Sequence, residues 1–461
     1  MEIVFLKDLV DKIIDNRGKN PKYSFSGIEV IETGCISGSK KYPDYSLVKK
    51  YVDNNTYKNW FRNGHPCKGD LLIITVGNNV GSISLMNENR GCITQNLIGL
   101  RLKENVCSDF IYYYLSQKEV FNYFQGLNIG SAQPSIKVPH LLNFELNIPD
   151  FLIQQKIAGI LSDLDGKIFL NYQTNKTLEF IAQAFFKSWF IDFDPVRAKI
   201  AAKKEGKDPE LAAMCVISGK SEVELQQMAK DDFAELQATA ALFPEELVES
   251  ELGEVPNGWE VNSLGNICNF TPGSAFKPEY QGQTHGEIPF IKVSDMNLNG
   301  NEIFIVKANN YIDNSLQKER KFKLHEEGAT VFAKIGVALI SNRRRVLTMP
   351  TIIDNNMMSA SPLKGLSTPY YLYLLLKTID FNTLVSGTAL PYLNVSDLRK
   401  ILIVHPTINL LNKFELIANP LLQKIKLNSV QCEGLVTLRD NLLPKLLSGE
   451  IDASVLNGEH G

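Results

Sequence analysis

At 461 residues the chain is too long for one ordinary domain, and its 44% hydrophobic residues are enough for several cores. The seven cysteines are scattered, odd in number and never spaced C-x-x-C, which fits a reduced cytoplasm and argues against a zinc site. No apolar run approaches the ~18 residues of a membrane span, and the net charge of −3 conceals +3 on residues 1–148, −6 on 195–256 and +3 on 257–405. The two large segments are mildly basic, which permits nucleic-acid binding despite the acidic sum.

In chain order, residues 1–148 read as a first globular segment. Its β-type runs at 28–31, 71–76 and 97–102 are punctuated by Gly and Asn turns. A helix is expected over 109–123, with Ile111, Tyr114, Leu115 and Phe121 on its apolar face. The loop from Gly130 leads through residues 138–148 into a long helix, 149–194. There Ile157, Leu164, Asn171, Leu178 and Phe185 recur every seven residues, and Leu161, Ile168, Asn175, Ala182 and Trp189 follow four places later. Sustained spacing of this kind predicts a coiled coil. Residues 195–256 form an acidic connector, helical over 196–204 and 222–241 and extended over 249–259. Residues 257–405 repeat the plan of the first segment, 406–450 form a second long helix, and 451–461 are a tail.

The repeat is explicit. Shifted by 257 positions, residues 130–171 align without a gap on 387–428, and 13 of the 42 pairs are identical, Pro149/Pro406, Lys156/Lys413, Ile168/Ile425 and Asn171/Asn428 among them. The period far exceeds the ~20–50 residues of a solenoid, so the chain is a duplicated half-molecule. Asn171 and Asn428 share a seam position, where an amide fixes register because a slip leaves it unpaired. Pro420 is expected to kink the second helix or mark its true start. A 40-residue helix would be ~60 Å long.

No enzyme motif survives. Ser218-Gly-Lys-Ser221 would need Gly at 214 to end a phosphate loop, and Met214 stands there; His325-Glu-Glu-Gly lacks the second His of a zinc-protease helix. There is no methyltransferase-type Asn/Asp-Pro-Pro-Tyr/Phe run.

Four stretches carry a family resemblance. They are Gly130-Ser-Ala-Gln-Pro with Gln154-Gln-Lys-Ile, Phe186-Lys-Ser-Trp-Phe-Ile-Asp-Phe-Asp-Pro-Val-Arg197, Gly253-Glu-Val-Pro-Asn-Gly-Trp259, and Asn441-Leu-Leu-Pro-Lys-Leu-Leu-Ser-Gly-Glu-Ile451. Over nearly its whole length the chain resembles the specificity subunit of a bacterial type I restriction–modification enzyme. The resemblance implies an α+β fold, with two similar mixed α/β target-recognition domains separated by two long helices in an antiparallel coiled coil. It also implies a cytoplasmic, non-catalytic protein of bacterial defence that reads an asymmetric, bipartite site in double-stranded DNA. Two methyltransferase subunits would dock on it, and through them restriction/translocase subunits. The chain itself would bind no cofactor and no metal, its partners using S-adenosylmethionine, ATP and Mg. One departure is that the second helix lacks the Gln-Gln before its Lys. A reader of two half-sites must hold its modules one helical repeat apart, about 34–36 Å, or a multiple of it, which stiff helices can do. The rival reading is a coiled-coil scaffold whose globular arms bind protein or glycan.

Sequence readout calls for amides and guanidiniums on base edges and cations on phosphates. In the first domain the candidates are Lys40, Lys41 and Tyr42 in a basic turn, Asn78 and Asn79 beside Gly77, and Ser131, Gln133 and Lys137. In the second they are Arg343, Arg344 and Arg345, whose adjacent guanidiniums repel unless an anion is near, then Thr388, Tyr392 and Asn394. Each cluster is otherwise a solvated turn. The aromatic helix end, Phe185, Phe186, Trp189 and Phe190, exceeds what a two-helix seam can cover: it is expected to dock partner subunits, the alternative being that it packs inside the seam or against the recognition domains.

Overall fold

The computed structural model describes residues 2–18, 20–36, 40–77, 79–127, 134–387 and 391–453. They divide into two compact units, Met1–Phe169 with Gly434–Gly461, and Leu170–Glu433.

In the first unit, Leu71–Ile74 is the central strand of a head. It lies between Leu97–Leu102 and Ile83–Leu85, antiparallel to both, and Val10–Ile14 completes the four-stranded sheet. The run Leu-Leu-Ile-Ile is apolar throughout because both faces of the strand are covered. Leu71 and Ile73 face a core that includes the helix Ser108–Leu115. Leu72 and Ile74 enter a second cluster with Ile31 and Ile93, residues of a small sheet in which Ile28–Ile31 pairs parallel with Cys92–Ile93. The expected helix at 109–123 is instead two, Ser108–Leu115 and Lys118–Gly126.

The head of the second unit repeats this plan. Thr330–Ala333 is flanked by Met357–Pro362 and Arg345–Leu347 in a five-stranded sheet, and Ile288–Ile291 pairs parallel with Ile352–Ile353. Each head is a closed excursion of the chain. Glu2–Phe5 pairs antiparallel with Glu145–Ile148, and Glu260–Ser263 with Leu402–His405, so entry and exit lie side by side just before a long helix.

Those helices span Phe151–Phe190 and Ile408–Ser448. The second is continuous through Pro420, which therefore does not mark its start; a missing N–H and a crowded turn do not end this helix. Within the second unit the helices run antiparallel and share a seam of amides. Asn171 donates to Gln431 at 2.8 Å, Asn428 to Asn175 at 2.9 Å, and Asn175 to the Ser429 hydroxyl at 3.3 Å. Moving the first of these pairs by the 257-residue offset gives 174 and 428, one position from the second. A contact between i and j is thus matched by one between j − 257 and i + 257, the pseudo-twofold relation that a duplicated antiparallel pair requires, with its axis near Asn171–Asn175 and Asn428–Gln431.

Each long helix also caps its own head. Gln154 Oε1 accepts from the backbone N–H of Cys107, the N-cap of Ser108–Leu115, at 3.0 Å. Glu415 Oε1 accepts from Tyr370 N–H at the start of Pro369–Thr378, at 3.4 Å. Neither head helix has a side-chain cap of its own, and an unsatisfied N-terminus is costly. Burial raises the pKa of the Glu415 carboxyl above the usual range. The second copy therefore replaces its missing Gln-Gln with an acceptor one turn later, at an offset of 261 rather than 257.

The connector is a packed part of the second unit. Its helices are Asp194–Lys204, Pro209–Ser218, Glu222–Gln226 and Lys230–Ala240, followed by a hairpin of Leu247–Ser250 and Gly253–Pro256. Pro209–Ser218, not expected from sequence, is opened by Asp208 accepting from the backbone of Glu210 and Leu211. Val196, Met214, Ile217 and Phe243 join the core formed by the helix ends.

Asn428→Leu removes one amide and strands the Asn175 carboxamide, so it should lower stability by about 1–3 kcal/mol. A double-mutant cycle with Asn175→Leu, read by denaturant unfolding, should recover part of that loss. His325 supplies a pH test. Its ring is 3% exposed, Nδ1 bonds the Ser359 hydroxyl at 2.7 Å, and burial, reinforced by Lys323, lowers its pKa to about 4. The unfolded chain binds this proton more readily, so His325 should favour the fold fully above pH ~6.5 and cost stability as pH falls toward 4, by roughly 2–3 kcal/mol. His325→Asn should flatten that slope in thermal melts.

Candidate nucleic-acid interface

In each head three segments meet at one end of the central strand, and backbone hydrogen bonds bring them together. In the first, Gly77 N–H donates to Pro134 O at 2.9 Å, Ile136 N–H to Thr75 O at 2.9 Å, and Thr75 N–H to Asn96 O at 2.8 Å. In the second, Gly336 donates to Pro391 O at 2.7 Å, Leu393 to Lys334 O at 2.8 Å, and Lys334 to Asn356 O at 2.9 Å. Isolated bridges Val76↔Ser135 and Ile335↔Tyr392 mark the same junction. Gly77 and Gly336 take positive φ, 114° and 84°, where a side chain would be strained.

These junctions gather several of the expected residues. Asn79 and Lys137 are exposed on the first, and Arg343, Tyr392 and Asn394 are exposed on the second. The Asn394 side chain caps the short helix Val395–Arg399 by accepting from Ser396 N–H. Asn78, Ser131, Gln133 and Thr388 lie outside the described residues.

Sequence reasoning missed the third segment. Gln95 in the first head, and Asn355 and Asn356 in the second, are exposed amides on the turn that meets each central strand. The parallel between 93–96 and 353–356 was legible, but nothing local ties either turn to the loops 40 residues away. Arg17 was missed as well. Asp15 holds its guanidinium at 2.7 Å, and NH1 reaches the Thr75 hydroxyl at 3.4 Å.

Other expected residues sit elsewhere. Lys41 is buried at the head's contact with the first long helix, and a DNA contact is corrected to a structural joint. Its ammonium binds Asp109 at 2.6 Å, Ser162 at 2.8 Å and the Tyr113 hydroxyl at 3.2 Å. Tyr113 in turn donates to Asp165, which pairs with Arg439 at 2.7 Å. A cation this deep is tolerated because a carboxylate and two hydroxyls replace its water. Lys40, paired with Asp44 at 2.7 Å, and the 40%-exposed Tyr42 adjoin it. They stand beside Leu85, which pairs with Leu71 at the far end of the strand from Gly77.

Arg344 is corrected likewise. It is 3% exposed, donates to Asn342 Oδ1 at 2.9 Å and to Ile379 O at 2.8 Å, and stacks 3.4 Å from the Phe381 ring centroid. Arg345 is half-buried and donates to Arg344 O and Met296 O. Burial holds both guanidiniums below their ordinary pKa. The repulsion expected of three adjacent cations is relieved by pointing them in different directions, with carbonyls and a ring as partners; Arg343 alone of the three is exposed.

The aromatic helix end is also interior. Phe186, Trp189 and Phe190 are at most 4% exposed, and Phe185 packs against the same core. Trp189 meets Phe243 edge-on at 5.1 Å, and Phe190 meets Phe414 at 5.1 Å and Tyr371 at 5.2 Å. The connector and the second head cover what a bare helix pair would leave open.

Among the described residues no group of three or more His, Cys, Asp or Glu could hold a metal ion, and no helix is long and apolar enough to cross a membrane. The family description "Type I restriction modification DNA specificity domain" matches residues 1–179 and again 256–410. The chain belongs to this family. It is a DNA specificity subunit with two recognition domains, and such subunits recognise DNA without catalysing a reaction on it. The HindI specificity subunit of Haemophilus influenzae is 36% identical to it over 371 residues, which are 75% of this chain and 78% of that one. The MjaIX specificity subunit of Methanocaldococcus jannaschii is 29% identical over 358 residues, 76% and 70% of the two chains. Among solved structures, the type I S subunit from M. genitalium has the same fold, with a TM-score of 0.52 at 16% identity, covering 96% of this chain and 95% of that one.

For this specificity subunit, Arg344→Ala should cost about 2–3 kcal/mol in thermal or denaturant unfolding. Arg343→Ala should stay within about 0.5 kcal/mol and show its effect in DNA affinity instead.

Proposed function

We propose that the two loop junctions read the two halves of an asymmetric, split DNA site, and that the long helices carry the partner subunits. The observation that carries this reading is the doubled three-segment junction: the same backbone bonds in both heads, with different side chains presented. Asn79 and Gln95 in one head, and Asn355 and Asn356 in the other, are amides suited to the paired acceptor and donor of adenine; Asn394, whose oxygen caps its helix, would offer its amide N–H to a base or phosphate acceptor. Lys137 and Arg343 are placed for phosphates, and Tyr392 for either. Asn78, Ser131, Gln133 and Thr388 remain proposed readers on the same loops.

The docking face moves from the buried aromatic end to the outer surface of the second unit's helices. Leu416 and Leu427, both 63% exposed, are eleven residues apart, three turns along one face, and Phe180 is 71% exposed on the first helix. Two methyltransferase subunits docked there would flip and methylate the target bases with S-adenosylmethionine. Restriction/translocase subunits, using ATP and Mg, would join through them.

The decisive experiment is co-expression with a methyltransferase subunit and mapping of methylated adenines in a random library. Two short motifs around an unread spacer support the reading; one contiguous motif, or none, overturns it. Lys137→Ala should weaken all sequences alike and lower the salt slope by about one, whereas Asn79→Ala should relax a single position. Leu427→Asp should abolish co-purification with the methyltransferase without lowering the melting temperature.

A further inference from the structure

The two reading loops differ in chemistry. In the first head the hairpin loop joining Leu71–Ile74 to Ile83–Leu85 turns Val80 fully inward and leaves Asn79 exposed. In the second, the longer loop joining Thr330–Ala333 to Arg345–Leu347 contains a helical turn, Val337–Ile340, that begins at Gly336. Leu339 alone of its large apolar residues is buried, at 2%; Val337 is 80% exposed and Ile340 51%. Tyr392, 48% exposed, lies on the segment bridged to Ile335.

Hydrogen bonds tie this apolar loop to the neighbouring segments of the head. Gly336 N–H is tied to Pro391 O, and Asn382 Nδ2 donates to Ile340 O at 3.3 Å. Beneath it Asn342, at φ 54°, accepts from both Arg344 and Phe381 N–H. The exposed branched side chains thus stand on a loop braced by a buried guanidinium, and the exposed cation Arg343 belongs to the same loop.

We infer that Val337 and Ile340 read thymine C5-methyl groups in the half-site of the second head. The inference rests on the proposed DNA-reading role of these loops and specifies its chemistry. The thymine methyl is the one apolar group on the base edges of the major groove, so it is the feature that branched aliphatic side chains on a DNA-facing loop can match. Sugars and phosphates would be met by the polar and cationic residues around them. The first head presents an amide at the corresponding place and reads hydrogen-bonding edges instead.

The test uses the assembled complex of this chain with its methyltransferase subunit and duplexes carrying its selected site, read by fluorescence anisotropy. Each thymine of both halves is replaced singly by deoxyuridine, which deletes only the methyl. One or two thymines, confined to one half, should lose about 4-fold in affinity per methyl. Val337→Ser or Ile340→Ser should lose a similar factor on the normal duplex and no longer distinguish thymine from uracil at that position. Both side chains are exposed, and an unchanged melting temperature confirms that the variants are folded. The inference is overturned if no thymine is sensitive, if sensitivity persists in both variants, or if one half-site is not found to contain an A·T pair at a sensitive position. A variant that weakens every sequence equally, as an intercalating wedge would, overturns it too. If the complex shows no sequence preference at all, the DNA-reading role itself fails, an outcome distinct from specific binding indifferent to uracil.

Discussion

The constraint on which the rest depends is the polar cluster in the helix seam, the buried Asn171, Asn175, Asn428 and Ser429 with the exposed Gln431 at its edge. Leucine or isoleucine pairs against one another in many registers at similar cost. A buried carboxamide does not, since a shift of one turn leaves donors and acceptors without partners in a dry interface. The cluster decides which turn of one helix meets which turn of the other. Because that contact obeys the 257-residue offset, it also makes the pairing nearly self-complementary, as a duplicated sequence folding against itself must be.

With the register set, each long helix can offer fixed positions to the head that precedes it. Gln154 and Glu415 supply caps that the head helices lack. Lys41 reaches Asp109 and Ser162, and in the second unit Lys307 on the head pairs with Glu433 on the helix at 2.5 Å. These are directional contacts. Apolar packing alone would hold a head against a helix while leaving its rotation less defined; hydrogen bonds to a backbone N-terminus and to ammonium groups fix it. Their worth is in orientation more than in stability, as desolvation offsets much of the gain for a buried ion pair.

What was legible in the sequence was whatever repeats. The offset of 257, the heptad seam and its two asparagines placed the helices within two to four residues of their observed ends, and the strands at 28–31 and 97–102 coincide with those observed. What was illegible was direction. A run such as Arg343-Arg344-Arg345 shows charge but not that alternate side chains of a strand entering a sheet face opposite ways, which sends Arg344 onto Phe381 and leaves Arg343 outside. Likewise Phe186, Trp189 and Phe190 showed an apolar excess for which the unread partner was the chain's own connector. The connector's helix Pro209–Ser218 escaped notice because its apolar residues show little periodicity.

The doubled loop junction explains how a duplicated recognition domain can diverge without losing its architecture. Its defining bonds, Gly77 to Pro134, Thr75 to Asn96 and their counterparts at Gly336 and Lys334, are all backbone to backbone. They place no demand on side chains except where φ is positive, at Gly77, Gly336 and Asn96. The side chains carried on these loops are therefore nearly free to change, and between the halves of this chain they have: amide against aliphatic, and 8 linking residues between the hairpin strands against 11. A scaffold whose frame is written in the backbone and whose message is written in the side chains can acquire a second specificity by substitution and a change of loop length. That is the physical condition under which two copies of one domain come to read unlike half-sites.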